Sequence, residues 1–208
     1  MTSFFKRFFE LIFDNSFIDF VASLFPSISP YTQLQTKNSL EQFYENGKTF
    51  ECYNSKSLEG LCQGDIISNT PVIKVGTDGT LLKSIRTVIV LSNSCDIEND
   101  DYILVAPFYS FTEAELTDSQ IVEMKRNRFY GKMYFPDVSE EEMFADFSFV
   151  QALPKSLICN NLRENKSYLI HSLNLVGYYL LLCKLTIHFM RPEDTGVQES
   201  RDRIDYQI

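Results

Sequence analysis

Cys95 and Asp96 are neighbours in the polar stretch SNSCDIENDD, which separates two apolar runs. A cysteine beside a carboxylate is the start of a nucleophilic hydrolase site if His171 or His188 serves as its base. A nucleophilic thiol needs a nearby cation or a helix N-terminus, and the carboxylates around this one disfavour the thiolate. The favoured interpretation is therefore a structural cysteine at a strand end, in a loop between two strands.

The same stretch raises the question of a metal site, because four of its ten residues are acidic. Clustered carboxylates suit Mg²⁺ or Ca²⁺, but the central glycine and terminal glutamate of an EF-hand loop are missing. The five cysteines are odd in number, widely spaced and without a C-x-x-C pair, which argues against a disulfide framework or a zinc site. We expect no metal, no cofactor and a reducing, cytoplasmic compartment.

A second candidate site is the stretch MKRNRFYGK, in which basic and aromatic residues alternate. Cations that hold phosphates, with rings that stack under bases, are typical of single-stranded RNA grooves. The alternative is a cationic helix C-terminus, favoured by the helix dipole, followed by strand aromatics that face the core. The predicted RNA-binding residues are Lys125, Arg126, Arg128, Tyr130 and Lys132.

The N-terminal residues 1–30 carry phenylalanines at helical spacing and predict one or two amphipathic helices. Their apolar face either packs on the chain's own core or docks onto a partner. Acidic residues interrupt every apolar run there, so a signal peptide is not expected. The candidate docking residues are Phe4, Phe5, Phe8 and Ile12.

The composition is that of a folded protein, with 44% hydrophobic residues in a chain of 208. A net charge of -9 argues against a generally basic surface that coats nucleic acid, although a local basic groove stays compatible with it. The apolar stretch at 168–189 contains two His, one Asn and one Lys, which favours a buried helix over a membrane span.

The elements that must position these residues follow from short β-type runs between turn residues. Strands are expected in TFECY, GDIIS, PVIKV, RTVIVLS, YILVAPF, RFYGKMYFP and ADFSFVQAL. A capping box of Thr112 and Glu115 predicts the start of an inserted helix, and one long helix is expected over about 162–189. The predicted segments are a helical extension (1–30), a connector (31–47), a barrel with an inserted and a C-terminal helix (48–191) and a polar tail (192–208).

The order GDII, RTVIVLSNSCDI and ILVAPFYS is similar to that of the MazF/PemK toxin family. The resemblance covers about residues 60–111. It implies an α+β fold built on a small antiparallel SH3-like, PemK-like β-barrel, here with an N-terminal helical extension and a long C-terminal helix. In active members it also implies metal-independent endoribonuclease activity, often in a homodimer.

Carried over residue by residue, the resemblance makes Arg86 the group that assists phosphate chemistry. Tyr109 stands where the family has its catalytic Thr or Ser, and Ser110 follows one place later, so Arg86 and Ser110 are the candidate catalytic residues. Thr87 stands where the family has Pro. The alternative for Arg86 is a structural ion pair with Asp65 or with a loop carboxylate.

Two functions are therefore carried forward. The first is an endoribonuclease of a toxin–antitoxin or phage-defence system, with single-stranded RNA as substrate. The second is a non-catalytic barrel module that binds a partner protein, such as an antitoxin or a defence-complex subunit. The acidic net charge, the substitution at Tyr109 and the Phe-rich N-terminus favour the second.

Overall fold

A computed structural model describes residues 52–190 and Val197 of this chain. The expected N-terminal helices, the connector and nearly all of the polar tail lie outside the described residues. The same holds for the candidate docking residues Phe4, Phe5, Phe8 and Ile12.

The described residues form a mixed α/β unit around a seven-stranded antiparallel sheet. The strand order is β4-β5-β3-β2-β1-β7, and β6 pairs with β3 beside that path. The strands are β1 (Ile66–Val75), β2 (Leu81–Val90), β3 (Tyr102–Ser110), β4 (Lys132–Phe135), β5 (Met143–Asp146), β6 (Gln151–Pro154) and β7 (Leu169–His171).

Strands β1 and β2 form a long hairpin whose turn is the GTDGT stretch. The Gly76 N–H donates to the Thr80 carbonyl at 2.8 Å, and Gly79 takes a φ of 82°, which a residue with a Cβ adopts at a cost. GDIIS and PVIKV, expected as two strands, are parts of the single strand β1. A register shift between Ile67 and Thr70 interrupts its pairing with β2 without ending the strand.

Strand β3 organises the rest of the sheet because different parts of it pair with different strands. One edge of β3 pairs with β2, while on the other side residues 102–105 pair with β6 and residues 108–110 pair with β5. The expected SH3-like barrel is not confirmed, since no ladder closes the sheet within residues 52–190. At the gap between β1 and β6, the Ile73 N–H donates to the Gln151 side-chain oxygen at 3.0 Å.

The described residues contain four α-helices, and all four differ from expectation in position or extent. The SNSCDIENDD stretch is not a plain loop, because it holds the short helix α1 (Ser94–Asn99), capped by the Asn93 side chain. Helix α2 (Asp118–Lys125) begins five residues after the expected start. Its capping box is formed by Thr117 and Gln120, whereas Glu115 lies in the preceding turn with a φ of 49°.

The single long helix expected over 162–189 is wrong. Helix α3 (Lys155–Arg163) ends before it, β7 takes up residues 169–171, and helix α4 (Leu175–Met190) follows. The Asn174 side chain accepts the Gly177 N–H at 2.9 Å and marks the start of α4. Among residues 52–190 no helix has the length and apolar content that crossing a membrane requires.

Buried side chains fall into three clusters around the sheet. The largest lies between the sheet and α4, a second lies between β1, β2, β3, β6 and helix α3, and the third lies under α2. The second cluster includes Val72, Val88 and Val105, one residue each from β1, β2 and β3. Tyr109 packs against the third cluster.

Candidate functional site

Arg86 lies at the centre of a compact polar cluster. Its two terminal nitrogens donate to the two carboxylate oxygens of Glu113, so the pair is bidentate. Its guanidinium carbon lies 4.8 Å from the centroid of the Tyr109 ring. The ladder between β2 and β3 ends at the pair Val88 and Pro107, and two residues further along each strand Arg86 and Tyr109 meet through their side chains.

Ser110 joins this cluster through the same glutamate. Its hydroxyl oxygen accepts the backbone N–H of Glu113 at 3.1 Å, and the residue is only 8% exposed. Ser110 is the last residue of β3, and successive strand residues point to opposite faces, so Tyr109 and not Ser110 lies under the guanidinium. The two candidate catalytic residues are therefore linked through Glu113, and Ser110 is mostly buried.

The electrostatics keep this pair charged. The pKa of Arg86 is raised, chiefly by its hydrogen bonds to Glu113. The pKa of Glu113 is lowered, chiefly by the same bonds and further by the charges of Arg86 and Lys74. Asp65 and a loop carboxylate were the two expected ion-pair partners of Arg86. The structure pairs Arg86 with a loop carboxylate, that of Glu113. Asp65 is fully buried and accepts the Cys62 N–H at 2.8 Å.

Tyr109 is the middle ring of an aromatic row. Its centroid lies 5.8 Å from that of Phe149 and 6.2 Å from that of Phe144. Each ring carries a cation at nearly the same distance, Lys74 at 4.8 Å on Phe149 and Lys132 at 4.9 Å on Phe144. We call this set the cation–aromatic row; it consists of Lys74, Arg86 and Lys132 over Phe149, Tyr109 and Phe144.

The predicted RNA-binding residues lie partly in this row and partly beside it. Lys132 belongs to the row and also lies 3.4 Å from the carboxylate of Asp146, which is nearly buried. Tyr130 lies in the same segment and is half-buried. Lys132 is thus the member of the predicted set that the structure brings together with Arg86.

The other three predicted cations lie around the C-terminus of α2, each close to a glutamate. Lys125 is 2.6 Å from Glu142, while Arg128 at 2.8 Å and Arg126 at 3.9 Å share Glu123. These three cations form a basic rim next to the row. The two glutamates compensate most of the charge of this rim.

A buried lysine holds the backbone of the segment that carries this rim. Lys184 on α4 is 8% exposed and donates to the backbone carbonyls of Asn127, at 2.7 Å, and Phe129. Burial lowers the pKa of Lys184 to about 7. The ammonium thereby fixes the backbone that carries Arg126, Arg128 and Tyr130.

The opening candidate, Cys95, has a different environment. It is exposed on α1, where its N–H donates to the Asn93 side chain and its carbonyl accepts from Asn99. His171 lies on β7, with Nε2 2.9 Å from the Asp137 carbonyl oxygen and its ring stacked on Tyr53.

The second histidine that could serve Cys95 lies on α4. The ring of His188 has its centroid 4.5 Å from that of Phe189 and 6.0 Å from that of Phe147. Within the described residues, neither histidine is among the hydrogen-bond partners of Cys95, so the structure does not assemble a Cys–His pair.

Two further features of the described residues lack the groups of a functional site. A pocket of about 420 Å³ lies between the start of β3 and α3, but its Lys155 ammonium is held by the Ile97 carbonyl at 3.0 Å and by the Glu98 carbonyl. Across residues 52–190 and Val197 no three His, Cys, Asp or Glu side chains are grouped to hold a metal ion. The Arg86 cluster is the candidate that combines cation, carboxylate, hydroxyl and rings.

Neither a protein-family model nor a curated protein matches this chain. The site therefore has to be interpreted from its own geometry.

Arg86, Ser110 and Lys132 were predicted from the sequence as site residues, whereas Lys74, Glu113 and Phe149 were not. Glu113 is 27 residues from Arg86, and Lys74 is 75 residues from Phe149, so no local spacing connects them. Tyr109 could have been noticed from the sequence, because it replaces the Thr or Ser of the resembled family. In the structure its ring lies beneath Arg86.

Proposed function

We propose that this chain is a PemK/MazF-like protein of the cytoplasm that binds single-stranded RNA at the Arg86 cluster and cleaves it without a metal. Its place would be in a toxin–antitoxin or phage-defence system. The observation that carries the proposal is the contact of Arg86 with a carboxylate, Glu113, and with a ring, Tyr109.

The fold supports a distant, opened version of an SH3-like barrel. Strands β1, β2, β3 and β6 surround one apolar cluster, as the strands of a small barrel do. The Ile73–Gln151 hydrogen bond bridges the place where a barrel would have its closing ladder. The proposal is that this sheet descends from the PemK-like arrangement and has lost that ladder.

The cation–aromatic row gives the binding mode. Single-stranded RNA binds to protein grooves by stacking bases on rings while cations hold the backbone phosphates. Tyr109 and Phe149 are half-buried and retain accessible ring surface, and Lys74 is exposed beside them. In the proposal Lys74, Arg86 and Lys132 hold successive phosphates.

Cleavage would follow the internal route that needs no metal. The ribose 2′-hydroxyl gives its proton to the Glu113 carboxylate, the 2′-oxygen bonds to phosphorus, and the bond from phosphorus to the 5′-oxygen breaks. The leaving 5′-oxygen takes a proton from water, and the other product ends in a 2′,3′-cyclic phosphate. Arg86 stabilises the added negative charge on the phosphorane-like transition state, for which its planar fork of donors is suited.

The predicted Ser110 has a supporting part in this scheme. Its hydroxyl oxygen is occupied by the Glu113 N–H, and its low exposure keeps it from the solvent side of the row. We propose that Ser110 fixes the turn that presents Glu113.

A second candidate function rests on the tip of the β1–β2 hairpin. Ile73, Val75, Leu81 and Ile85 lie on one face of it and are between 50% and 63% exposed. Exposed apolar patches of this kind usually mark contacts with other molecules. They favour a non-catalytic barrel module that binds a partner protein, such as an antitoxin, a defence-complex subunit or a second copy of the chain.

Induced expression in a bacterial host separates the two functions. The proposal predicts growth arrest with fragmented RNA for the wild type and normal growth for Arg86→Ala. Lys83→Ala, an exposed cation on the other face of β2, is the matched control and should behave as wild type. Arrest that persists in Arg86→Ala with intact RNA would instead support the binding module.

A further inference from the structure

We infer that Glu113 is a built-in competitor of RNA, because its carboxylate occupies the two terminal nitrogens of Arg86, through which the proposed RNA phosphate binds. This inference rests on the proposed function, since it concerns how the same site is regulated. Glu113 would then set the affinity of the site for RNA and keep Arg86 paired when no RNA is bound.

Glu113 occupies one of the two bidentate edges of the Arg86 guanidinium. A guanidinium can hold a carboxylate or a phosphate through its two terminal nitrogens or through Nε and one terminal nitrogen, and here both terminal nitrogens donate to Glu113. The Tyr109 ring covers one face of the guanidinium. A phosphate that binds the two terminal nitrogens must therefore displace the Glu113 carboxylate.

The carboxylate is placed so that it can leave. The Glu113 side chain is 42% exposed and that of Arg86 is 24% exposed, so the pair lies at the surface and water can replace either partner. The backbone at Glu113 is held separately, by the hydrogen bond of its N–H to Ser110. The side chain can rotate off the two terminal nitrogens and stay beside the bound phosphate while the turn keeps its shape.

The size of the effect follows from the exposure of the pair. Solvent-exposed ion pairs contribute about 0.2–1 kcal/mol, and 1 kcal/mol corresponds to about a fivefold change in an equilibrium constant. Removing the negative charge of Glu113 should therefore tighten RNA binding by about 1.4- to 5-fold.

The salt dependence gives a second and more specific signature. Each phosphate of single-stranded RNA that a protein cation neutralises contributes about −0.7 to the slope of log K against log salt. In the wild type the displaced carboxylate stays beside the phosphate and cancels the charge that Arg86 brings. In Glu113→Gln it does not, so the slope should become steeper by about 0.7.

The experiment measures binding of a fluorescent single-stranded RNA whose 2′-hydroxyls are all methylated, so that cleavage cannot interfere. Wild type, Glu113→Gln, Arg86→Ala and Glu115→Gln are titrated by anisotropy at several salt concentrations. Glu115 is an exposed glutamate in the same turn and provides the matched control. A thermal melt of each variant shows that it is folded before binding is interpreted.

The expected result is tighter binding and a steeper salt slope for Glu113→Gln alone, with loss of affinity in Arg86→Ala. If the wild type binds through Arg86 but Glu113→Gln binds equally or more weakly, the competitor role is overturned while RNA binding stands. If neither the wild type nor Glu113→Gln binds, the proposed function fails and this inference fails with it. If Glu113→Gln does not fold, Glu113→Asp serves instead, since the shorter side chain cannot make the same bidentate pair with Arg86. The Glu113→Asp protein should also bind RNA more tightly than the wild type.

Discussion

The guanidinium of Arg86 lies over the ring of Tyr109, 4.8 Å from its centroid, and connects β2 to β3 beyond the last backbone pair of their ladder. A cation over a ring in this arrangement gains electrostatic attraction from the π face. It also places a phosphate-binding group directly beside a surface on which a base can stack. This relationship is the basis of the proposed RNA site.

Tyr109→Leu tests the stacking surface without removing the cation. Leucine keeps an apolar side chain next to Phe144 and Phe149 but offers no ring, and base–aromatic stacking is worth about 1–3 kcal/mol per base. We expect single-stranded RNA to bind about 5- to 150-fold more weakly, measured by fluorescence anisotropy.

Tyr102→Leu is the control for that substitution. Tyr102 is a 60% exposed tyrosine at the opposite end of the same strand, away from the row. Its loss should leave RNA affinity unchanged. Equal weakening by both substitutions would mean that the ring of Tyr109 has no specific part in binding.

The buried Lys184 predicts how stability depends on pH. Burial lowers its pKa to about 7 in the folded protein, whereas the unfolded chain keeps the ordinary value of 10.5. Between these two values the unfolded state binds more protons, so the free energy of unfolding rises with pH. A neutral amine still has two N–H groups for the Asn127 and Phe129 carbonyls, so the loop stays held.

The measurement is urea unfolding of wild type and Lys184→Met at about pH 6, 8 and 9.5. Subtracting the variant removes the contributions of other titrating groups. The wild type should gain stability relative to Lys184→Met as pH rises, by up to about 1.4 kcal/mol per unit. A difference that stays constant with pH would show that Lys184 keeps its ordinary pKa.

Gly177 predicts an inverted effect of an ordinary helix-stabilising substitution. Alanine in place of glycine inside a helix normally stabilises by about 1 kcal/mol. Here the added Cβ would come 3.0 Å from the Cβ of Cys52 and closer still to its carbonyl oxygen, which already accepts the Asn174 N–H.

Gly177→Ala should therefore destabilise the protein, by about 1–3 kcal/mol in denaturant unfolding. Leu175→Ala, at a 55% exposed position in the first turn of the same helix, should change stability by no more than about 0.5 kcal/mol. A stabilised Gly177→Ala protein would mean that the segment at Cys52 does not pack against α4.

Some of this architecture was accessible from sequence. The β-branched runs at 87–91 and 102–108 predicted β2 and β3. The two glycines of GTDGT predicted the turn that joins β1 to β2. These signals are local, since alternation, branching and positive φ act within a few residues. The mixed α/β class with an antiparallel sheet followed from them and is confirmed.

Other features depended on competition between local signals. Thr112 and Thr117 each stand three residues before a residue that could complete a capping box, and only Thr117 is followed by the helix. Strand β7 could not be predicted within the apolar stretch 168–189, because short apolar strands and apolar helices cannot be told apart by hydrophobicity. Asn174 was the available signal for the real helix start.

The site itself could be predicted only in part. Arg86 was identified through a resemblance, but its partner Glu113 lies in a turn whose position depends on how β3 ends and pairs with β5. The row formed by Phe149, Tyr109 and Phe144 combines residues of three separate elements. Such long-range contacts are properties of the packed sheet and leave no periodic trace in the sequence.

The most direct test of the central claim is incubation of purified protein with an end-labelled single-stranded RNA in excess EDTA. We expect the wild type to cut the RNA and leave 2′,3′-cyclic phosphate ends, Arg86→Ala to leave it intact, and Lys83→Ala to cut as the wild type does. RNA that stays intact with the wild type, or is cut equally by Arg86→Ala, would contradict it.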